Sequence, residues 1–190
     1  MSRGPTRHWH VVGIDDAPFA RDHRGDVLVV GAVYSGPALH GVLSSKVRRD
    51  GTNSTQVLAA MIGRSRFAPQ LHAVLLEGIA LAGFNVVDIH DLSEQLRLPV
   101  VVVIKRPPDM TAIRRALLTR VRGGRRKLSL IEKAGQVEQA GSYLIQRAGI
   151  SMPLAVSLLG SLSSPYVSGR LPEPLRAAHM IGRGIVLGHS

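Results

Sequence analysis

Three stretches near the start of the chain have the composition of β-strands: the first ends at Asp15, the second is rich in valine and ends near Ser35-Gly36-Pro37, and the third has Val42 and Val47 among polar residues. We predict strands over residues 8–14, 27–34 and 39–49. Loops that contain glycine link these stretches, and short links of this kind join antiparallel neighbours. The first quarter of the chain therefore predicts a three-stranded antiparallel meander.

Beyond residue 50, apolar positions recur three and four residues apart, which predicts helices between short buried strands. We predict helices over 53–64, 85–96, 109–121, 151–162 and 172–186, with strands over 71–76 and 100–104. The second of these strands is four valines and an isoleucine, a pattern typical of a strand covered on both faces. One more strand is expected after a basic loop at Gly123-Gly124.

A meander followed by alternating helices and strands predicts an α/β fold, with a mixed sheet flanked by helices. The meander supplies antiparallel strands and the later β–α units supply parallel ones. The ribonuclease H-like fold has this order of elements and fits best among the topologies that the pattern allows. With 190 residues, the chain is expected to form a single domain over residues 1–190.

Charge is the property of the composition that bears most on function. Lysine and arginine number 24 against 13 aspartates and glutamates, a formal net charge of +11. Such a field attracts polyanions, so nucleic acid is the expected partner, ahead of an anionic membrane surface or simple solubility. Only 4% of residues are aromatic, which favours phosphate contacts over base stacking.

The composition also excludes several classes of protein. The chain has no cysteine, so disulfides, thiolate metal sites and a cysteine nucleophile are ruled out. Its longest apolar run is much shorter than the ~20 residues that cross a bilayer, and its basic start is unlike a secretory signal. We therefore expect a soluble cytoplasmic protein with no membrane partner, either a monomer or a homodimer.

Acidic residues stand where predicted strands end: Asp15 after the first, Asp50 after the third and Glu77 after the fourth. Each acid alone is better explained as a turn or cap residue. If the three converge at one edge of the sheet, their repulsion would be relieved by a hard cation with oxygen ligands, Mg²⁺ or Mn²⁺. Such a site would serve phosphodiester hydrolysis.

Two basic features accompany these acids. Lys105 ends the fifth strand, where it would hold a phosphate, although an exposed strand-end lysine is the simpler interpretation. The segment over residues 114–127 is basic throughout, which suits phosphate contacts, a solvated face or a subunit interface. The candidates for nucleic-acid contact are Arg106, Arg114, Arg115, Arg122, Arg125, Arg126 and Lys127.

Three stretches of the sequence resemble the endonuclease dU family: GIDDAPF at 13–19, AGFNVVDI at 82–89 and PEPLRAAH at 172–179. The chain is more distantly similar to endonuclease V. The Gly-hydrophobic-Asp, Arg-Glu-Gly, Asp-Gly and strand-end lysine motifs of that family correspond to residues 13–15, 49–51, 77–78 and 105. Its Arg-Leu-Pro-Glu-Pro-x-Arg run corresponds to residues 170–176.

The resemblance implies a metal-dependent endonuclease that nicks DNA, duplex or single-stranded, at or near deaminated bases, with uracil first and hypoxanthine second. It implies a Mg²⁺ or Mn²⁺ site with Asp15 at its centre and with Asp50 and Glu77 as further ligands. Lys105 would hold the phosphate. Asp16 and His179 are secondary candidates for a second metal or for orienting water, although spacing alone makes His179 a surface or packed histidine.

The sequence also departs from the endonuclease V pattern. Aspartate and glutamate are exchanged at positions 50 and 77, the Pro-Tyr wedge has no counterpart before Asp50, and Ala82-Gly83-Phe84-Asn85 replaces a His-Pro-Arg stretch. A Gly-His pair near the last helices appears as Gly149-Ile150. Two further functions therefore stay open: a non-catalytic nucleic-acid-binding protein on the same fold, and a nuclease directed at RNA or single strands.

Overall fold

A seven-stranded sheet with helices on both faces forms the fold of the computed structural model, which describes residues 8–163 and 171–190. Its strands are β1 (His10–Asp16), β2 (Asp26–Ser35), β3 (Ala38–Arg48), β4 (Ala73–Glu77), β7 (Val100–Ile104), β8 (Glu138–Ala140) and β9 (Tyr143–Ala148), and a separate hairpin pairs β5 (Ala80–Leu81) with β6 (Asn85–Val86). The helices are α1 (Ser54–Gly63), α2 (Ile89–Leu96), α3 (Met110–Arg120), α4 (Gly124–Lys133), α5 (Met152–Ser161) and α6 (Glu173–Leu187). Across both described stretches, no helix has the length and apolar character that crossing a membrane requires.

The strands lie in the order β3-β2-β1-β4-β7-β9-β8. The first three pair antiparallel, β4 and β7 run parallel to β1, and β9 and β8 are antiparallel again. This arrangement confirms the predicted meander and the mixed sheet. Because β1, β4 and β7 are parallel neighbours, the residues that end them emerge at the same edge of the sheet.

Alternate residues of the central strands face two hydrophobic cores. Val100 and Val102 of β7 belong to the core that α1 and α2 cover, whereas Val101 and Val103 belong to the core that α5 and α6 cover. All four valines are buried. The prediction that this strand is covered on both faces is therefore confirmed.

Glycines allow α6 to lie directly against β1. A Cβ at Gly13 would come 2.4 Å from the carbonyl carbon of Pro174, and one at Gly182 would come 3.2 Å from the Cα of Ala17. The helix therefore runs in the same direction as the strand, with His179 between these two contacts. Arg170, which begins the run similar to endonuclease V, lies outside the described residues.

Two elements in the middle of the chain differ from the predictions. The predicted helix over 85–96 begins only at Ile89, because the Asp88 side chain caps it by accepting a hydrogen bond from the Asp91 backbone N–H at 3.1 Å. The predicted basic loop is a tight turn at Gly123, which has a φ of 70°, and α4 follows at once. Two strands, β8 and β9, then occupy the place where one was expected.

Candidate metal centre

Two carboxylates and one imidazole meet at the carboxyl ends of β1 and β4. In the described residues, one ligand atom from each of Asp15, Glu77 and His179 lies within 4.8 Å of the others. The parallel register sets Ile14 beside Leu76, so the acids that follow these two residues leave the sheet next to each other. The fold therefore brings together two of the three acids singled out in the sequence, and adds the histidine.

The Asp15 carboxyl is almost wholly buried, at 5% exposure. Its Oδ1 accepts a hydrogen bond from the Asp16 backbone N–H at 2.9 Å, and its Oδ2 lies 2.7 Å from Nδ1 of His179. Burial first, and then the charges of Glu77 and Asp16, raise the pKa of Asp15 to about 8. A carboxyl in this position ionises near neutral pH only when positive charge is brought to it.

Glu77 offers the second carboxylate. One of its oxygens, Oε1, forms an ion pair with the Lys105 ammonium. The other, Oε2, is buried and has no hydrogen-bond partner in the part of the chain that the structure describes. A buried polar atom without a partner costs free energy, and a cation would satisfy it. The donor set of carboxylate oxygens and one imidazole nitrogen fits Mg²⁺ or Mn²⁺, with the nitrogen favouring Mn²⁺.

Asp16 lies next to the cluster but is held by a different element. Its Oδ2 accepts a hydrogen bond from the Ala82 backbone N–H, at 2.9 Å, at the end of β5. Burial raises the pKa of Asp16. The side chain thus links the end of β1 to the β5–β6 hairpin, so a role in orienting groups around Asp15 suits it better than direct ligation.

The structure does not bring Asp50 into the cluster. Its Oδ1 accepts a hydrogen bond from the Phe84 backbone N–H at 2.8 Å, and its Oδ2 lies 3.3 Å from Nε of Arg49. Its backbone has a φ of 50° and its N–H donates to the Ala82 carbonyl at 2.9 Å. The position in the sheet explains the difference, because β2 and β1 separate β3 from β4. The Asp50 carboxylate here fixes the turn between β5 and β6.

Lys127 is also placed differently from the prediction. Its side chain is 1% exposed, and its ammonium donates a hydrogen bond to the Asp50 backbone carbonyl. Burial lowers the pKa of Lys127. Since α4 packs Lys127 on its inner face, the residue is not available to a phosphate, and the expected phosphate contact is corrected to a support of the Asp50 loop.

The other basic candidates lie at the surface, on or beside α3 and α4. Arg114 is half-exposed and pairs with Glu132 at 2.7 Å. The remaining members of the predicted set are exposed, namely Arg106, Arg115, Arg122, Arg125 and Arg126. Because β7 ends beside the cluster and leads into α3, this basic surface begins at the same edge of the sheet as the two acids.

An apolar cavity of about 540 Å³ adjoins the cluster. Gly78 and Ile104 line it, and these residues are the direct neighbours in sequence of Glu77 and Lys105. Gln146 contributes a polar group to the wall, is 4% exposed and donates a hydrogen bond to the Gly135 carbonyl at 2.7 Å. The sequence analysis missed this cavity, because its walls come from β7, α3, α4, β9 and the segment that follows β4.

The sequence analysis made His179 only a secondary candidate, because its spacing alone indicates a surface or packed histidine. In α6, Leu175, Ala178 and Gly182 are buried, and they define the face of the helix that packs on β1. His179 lies four residues after the first of them and three before the last, so it belongs to the same face. That spacing was the signal in the sequence, once the close contact between α6 and β1 is known.

Comparison with other proteins agrees with this geometry. The sequence profile of the endonuclease dU family matches residues 7–186. A UPF0215 protein of Deinococcus radiodurans is 50% identical over 190 residues, which cover 100% of this chain and 95% of the relative. One of Methanothermobacter thermautotrophicus is 43% identical over 184 residues, which cover 95% and 89%.

Solved structures place the fold. A crystal structure of an Archaeoglobus fulgidus protein superposes with a TM-score of 0.85 at 33% identity, covering 94% of this chain and 98% of that one. Endonuclease V of Bacillus subtilis gives 0.59 at 12% identity, covering 93% and 82%. Ciona intestinalis endonuclease V, in complex with a DNA that contains an inosine followed by a ribo-adenosine, gives 0.54 at 13%, covering 92% and 84%.

A mixed seven-stranded sheet with acids at the carboxyl ends of neighbouring parallel strands defines the class: an α/β protein with the ribonuclease H-like fold of endonuclease V. The profile match and the identities of the relatives then show the family. The chain belongs to the endonuclease dU family, so the resemblance and the fold expected from the sequence are both confirmed.

Proposed function

We propose that this protein is a metal-dependent endonuclease that nicks DNA at or near deaminated bases in DNA repair, with uracil preferred and hypoxanthine second. The observation that carries the proposal is the Asp15–Glu77–His179 cluster, in which Asp15 is buried and Glu77 Oε2 has no hydrogen-bond partner among the described residues. The family name and the inosine-containing DNA bound to a structurally similar endonuclease V support the substrate class. A chromosomal substrate would place the reaction in the cytoplasm.

Asp15 and Glu77 would hold the cation, with His179 as the third donor or as the group that orients Asp15. When bound, Mg²⁺ or Mn²⁺ supplies a water of lowered pKa and neutralises charge at the scissile phosphate. The imidazole lies 2.7 Å from Asp15 Oδ2 and its side chain is 41% exposed, so it connects the buried carboxyl with the protein surface.

Lys105 is suited to hold the phosphate. Its ammonium is paired with Glu77 Oε1, and its side chain is 43% exposed, so one side of the charge faces solvent. A phosphate oxygen that reached the cluster would meet this ammonium beside the two carboxylates. The exposed arginines of α3 and α4 would carry the flanking phosphates of either duplex or single-stranded DNA.

The apolar cavity beside Glu77 and Lys105 gives this proposal a place for the damaged base. Deaminated bases pair weakly, so they are easier to extrude from the duplex than intact ones. A base drawn out of the stack next to the scissile phosphate would enter this cavity on the side of Gly78 and Ile104, with the Gln146 side chain in its lining.

A non-catalytic DNA-binding protein is the second candidate. The observation in its favour is the position of Asp50, because its carboxylate is engaged by Phe84 and Arg49 and leaves two acids in the cluster. This candidate predicts binding without a metal-dependent product. A nuclease directed at RNA would share the cluster and would differ only in the strand that it cuts.

End-labelled duplexes with one uracil, one hypoxanthine or no lesion, and matching single strands and RNA, would be incubated with Mg²⁺, Mn²⁺ or EDTA. The variants are Asp15→Asn and, as a matched control, Asp22→Asn, which makes the same change at an exposed acid of the β1–β2 loop. We expect a nick that needs the metal, is strongest at uracil, falls by about 10³-fold or more in Asp15→Asn and is retained in Asp22→Asn.

Binding of every DNA without a cut would reject the endonuclease in favour of the non-catalytic candidate. A cut confined to RNA would reject the substrate but keep the cluster. Cleavage by Asp15→Asn at the rate of the unaltered protein would show that the chemistry lies elsewhere.

A further inference from the structure

Gln146 of β9 is a buried polar side chain in the lining of the apolar cavity beside the metal cluster. It is 4% exposed, whereas the other polar side chains of the lining, Glu132 and Gln136, are exposed. Its Nε2 donates a hydrogen bond to the Gly135 carbonyl at 2.7 Å, and its Oε1 accepts none from the described residues. A buried amide is stable only when its groups are paired, so this oxygen is suited to receive a donor from a ligand.

The hydrogen bond to Gly135 fixes which way the Gln146 amide is turned. A half-turn of the amide would exchange Oε1 and Nε2, and would set the amide oxygen against the Gly135 carbonyl oxygen. That change would lose a hydrogen bond and add a repulsive contact. The side chain therefore presents an acceptor at Oε1 and a donor at the second hydrogen of Nε2, in a fixed order.

The sheet sets Gln146 at a distance from the cluster that suits a nucleotide. Leu76, Val102 and Gln146 are register partners in one row across β4, β7 and β9. Neighbouring strands lie about 4.8 Å apart, so Gln146 is about 10 Å from the strand that ends in Glu77. A nucleotide whose phosphate lies at the cluster covers that distance with its sugar and base.

Deamination changes the edge of a base that such an amide would meet. Cytosine and adenine have an acceptor ring nitrogen beside an amino donor, whereas uracil and hypoxanthine have a ring N–H donor beside a carbonyl acceptor, the lactam. We propose that Gln146 recognises the lactam of the extruded base, with Oε1 accepting from the ring N–H and Nε2 donating to the adjacent carbonyl. This inference rests on the proposed function, because it assigns the residue that selects the substrate of that reaction.

The two kinds of unaltered base are rejected for different reasons. Cytosine and adenine would set a ring-nitrogen lone pair against Oε1, and the amide would stay unpaired. Thymine and guanine share the lactam, but their intact base pairs keep them in the duplex. A single residue thus explains why one cavity would accept both uracil and hypoxanthine, which differ in size.

The affinity for strands that differ in one base tests this proposal. Single-stranded DNA with one uracil, one cytosine or one 3-methyluracil is bound to the full chain in EDTA, and fluorescence anisotropy gives the affinity. Single strands remove the cost of extrusion, cytosine matches uracil in size, and 3-methyluracil lacks the ring N–H. We expect the unaltered protein to bind the uracil strand about tenfold more tightly than either of the other two. Gln146→Leu should bind all three within about threefold, because leucine has no polar group to pair.

The matched control is Gln139→Leu on the neighbouring strand β8. The exposed Gln139 amide also donates to a glycine carbonyl, that of Gly141, at 2.6 Å, so this variant loses the same kind of hydrogen bond away from the cavity. It should keep the preference for uracil. Melting temperatures show whether each variant is folded, and Gln146→Met, with an unbranched apolar side chain, takes the place of a leucine variant that does not fold.

Two results would overturn the proposal. One is a preference for uracil that survives in Gln146→Leu or Gln146→Met, and the other is equal binding of the three strands by the unaltered protein. Metal-dependent nicking at uracil alongside either result would leave the proposed function in place, so the failure of this inference can be distinguished from the failure of that function.

Discussion

Asp15 occupies a position where a negative charge is costly. Its carboxyl is buried, faces Glu77 and adjoins Asp16, and these surroundings raise its pKa to about 8, from 3.8 in an unperturbed aspartate. The folded protein therefore binds a proton at Asp15 much more tightly than the unfolded chain does. The cost of ionising it is offset only when a cation binds, which couples metal binding to proton release.

We predict that Asp15→Asn stabilises the metal-free protein at alkaline pH. Between pH 4 and 8 the folded form binds more protons than the unfolded form, so the free energy of unfolding falls as the pH rises. Asparagine removes this loss, which is of the order of a few kcal/mol. In EDTA at pH 8.5, the melting temperature of Asp15→Asn should exceed that of the unaltered protein by about 5 °C or more.

Two controls accompany this measurement. The difference should vanish near pH 3, where Asp15 is neutral in both the folded and the unfolded chain, and should reverse when Mn²⁺ is added, because only the unaltered protein gains binding energy from the metal. Asp22→Asn, at an exposed site, should leave the melting temperature unchanged at every pH. A lower melting temperature for Asp15→Asn in EDTA at pH 8.5 would contradict the pKa assigned to Asp15.

We predict that Asp50 acts on the β5–β6 turn rather than on the metal. Asp50→Asn keeps an acceptor for the Phe84 N–H and tolerates the positive φ, so the melting temperature and the Mn²⁺ midpoint, measured by calorimetry, should change little. Asp50→Ala loses the acceptor at the same strained backbone and should cost about 2–3 kcal/mol of stability. A Mn²⁺ affinity more than tenfold weaker in Asp50→Asn would instead make Asp50 a ligand.

At the scale of elements, the contact between α6 and β1 determines whether the cluster forms. Gly13 is the point of closest approach, since a Cβ there would meet the Pro174 carbonyl carbon at 2.4 Å and the Leu175 nitrogen at 2.7 Å. The obstructing atoms are backbone, so the helix itself would have to move. His179 would then move away from Asp15, because it reaches the cluster only through this helix.

We predict that Gly13→Ala lowers stability by about 1–3 kcal/mol and reduces Mn²⁺ affinity and cleavage together. The matched control is Gly184→Ala on the same helix, where nothing lies within 4 Å of an added Cβ. That change should be neutral or should stabilise by up to about 1 kcal/mol, because alanine is the better helix former. Equal effects of the two substitutions on metal affinity would show that this affinity does not depend on the packing of α6 against β1.

Elements set by local pattern could be predicted from the sequence, whereas contacts set by the order of strands could not. The four valines of β7 and the valine-rich run of β2 reveal their burial within a few positions. Asp50 illustrates the limit, because its distance from Glu77 depends on β2 and β1 lying between β3 and β4. His179 needed the same long-range information, since its partner lies 164 residues away in sequence.

Two elements were predicted wrongly from the sequence for reasons that are local in the structure. The first residues of the predicted helix at 85–96 form β6 because they pair with β5, and the Asp88 cap delays the helix to Ile89. α4 was missed because Gly123 and Gly124 read as a loop. Gly124 is instead buried, and a Cβ added there would come 1.8 Å from the Leu117 carbonyl oxygen, so no side chain fits. In both cases tertiary pairing overrode the propensity of a few residues.

At the scale of the whole molecule, the net charge of +11 and the position of its arginines lead to one direction of approach for DNA. β7 ends at the cluster and continues through Lys105 into α3 and α4, whose exposed arginines include Arg122, Arg125 and Arg126. The positive charge on α3 and α4 thus attracts a polyanion to the edge of the sheet where the acids lie. Arg66, in contrast, lies in the segment that leads into the start of β4, at the end of that strand opposite to Glu77.

We predict that Arg126→Gln weakens DNA binding by removing one phosphate contact. The slope of log affinity against log salt should become shallower by about 0.9, with a similar loss of affinity for duplexes with and without uracil. Arg66→Gln removes the same charge beside Phe67, on the segment that follows α1, and should leave the slope unchanged. Fluorescence anisotropy across a salt series, with EDTA present to prevent cutting, measures both. If the two variants lost the same amount, the attraction would come from net charge alone, and no particular surface would guide the DNA.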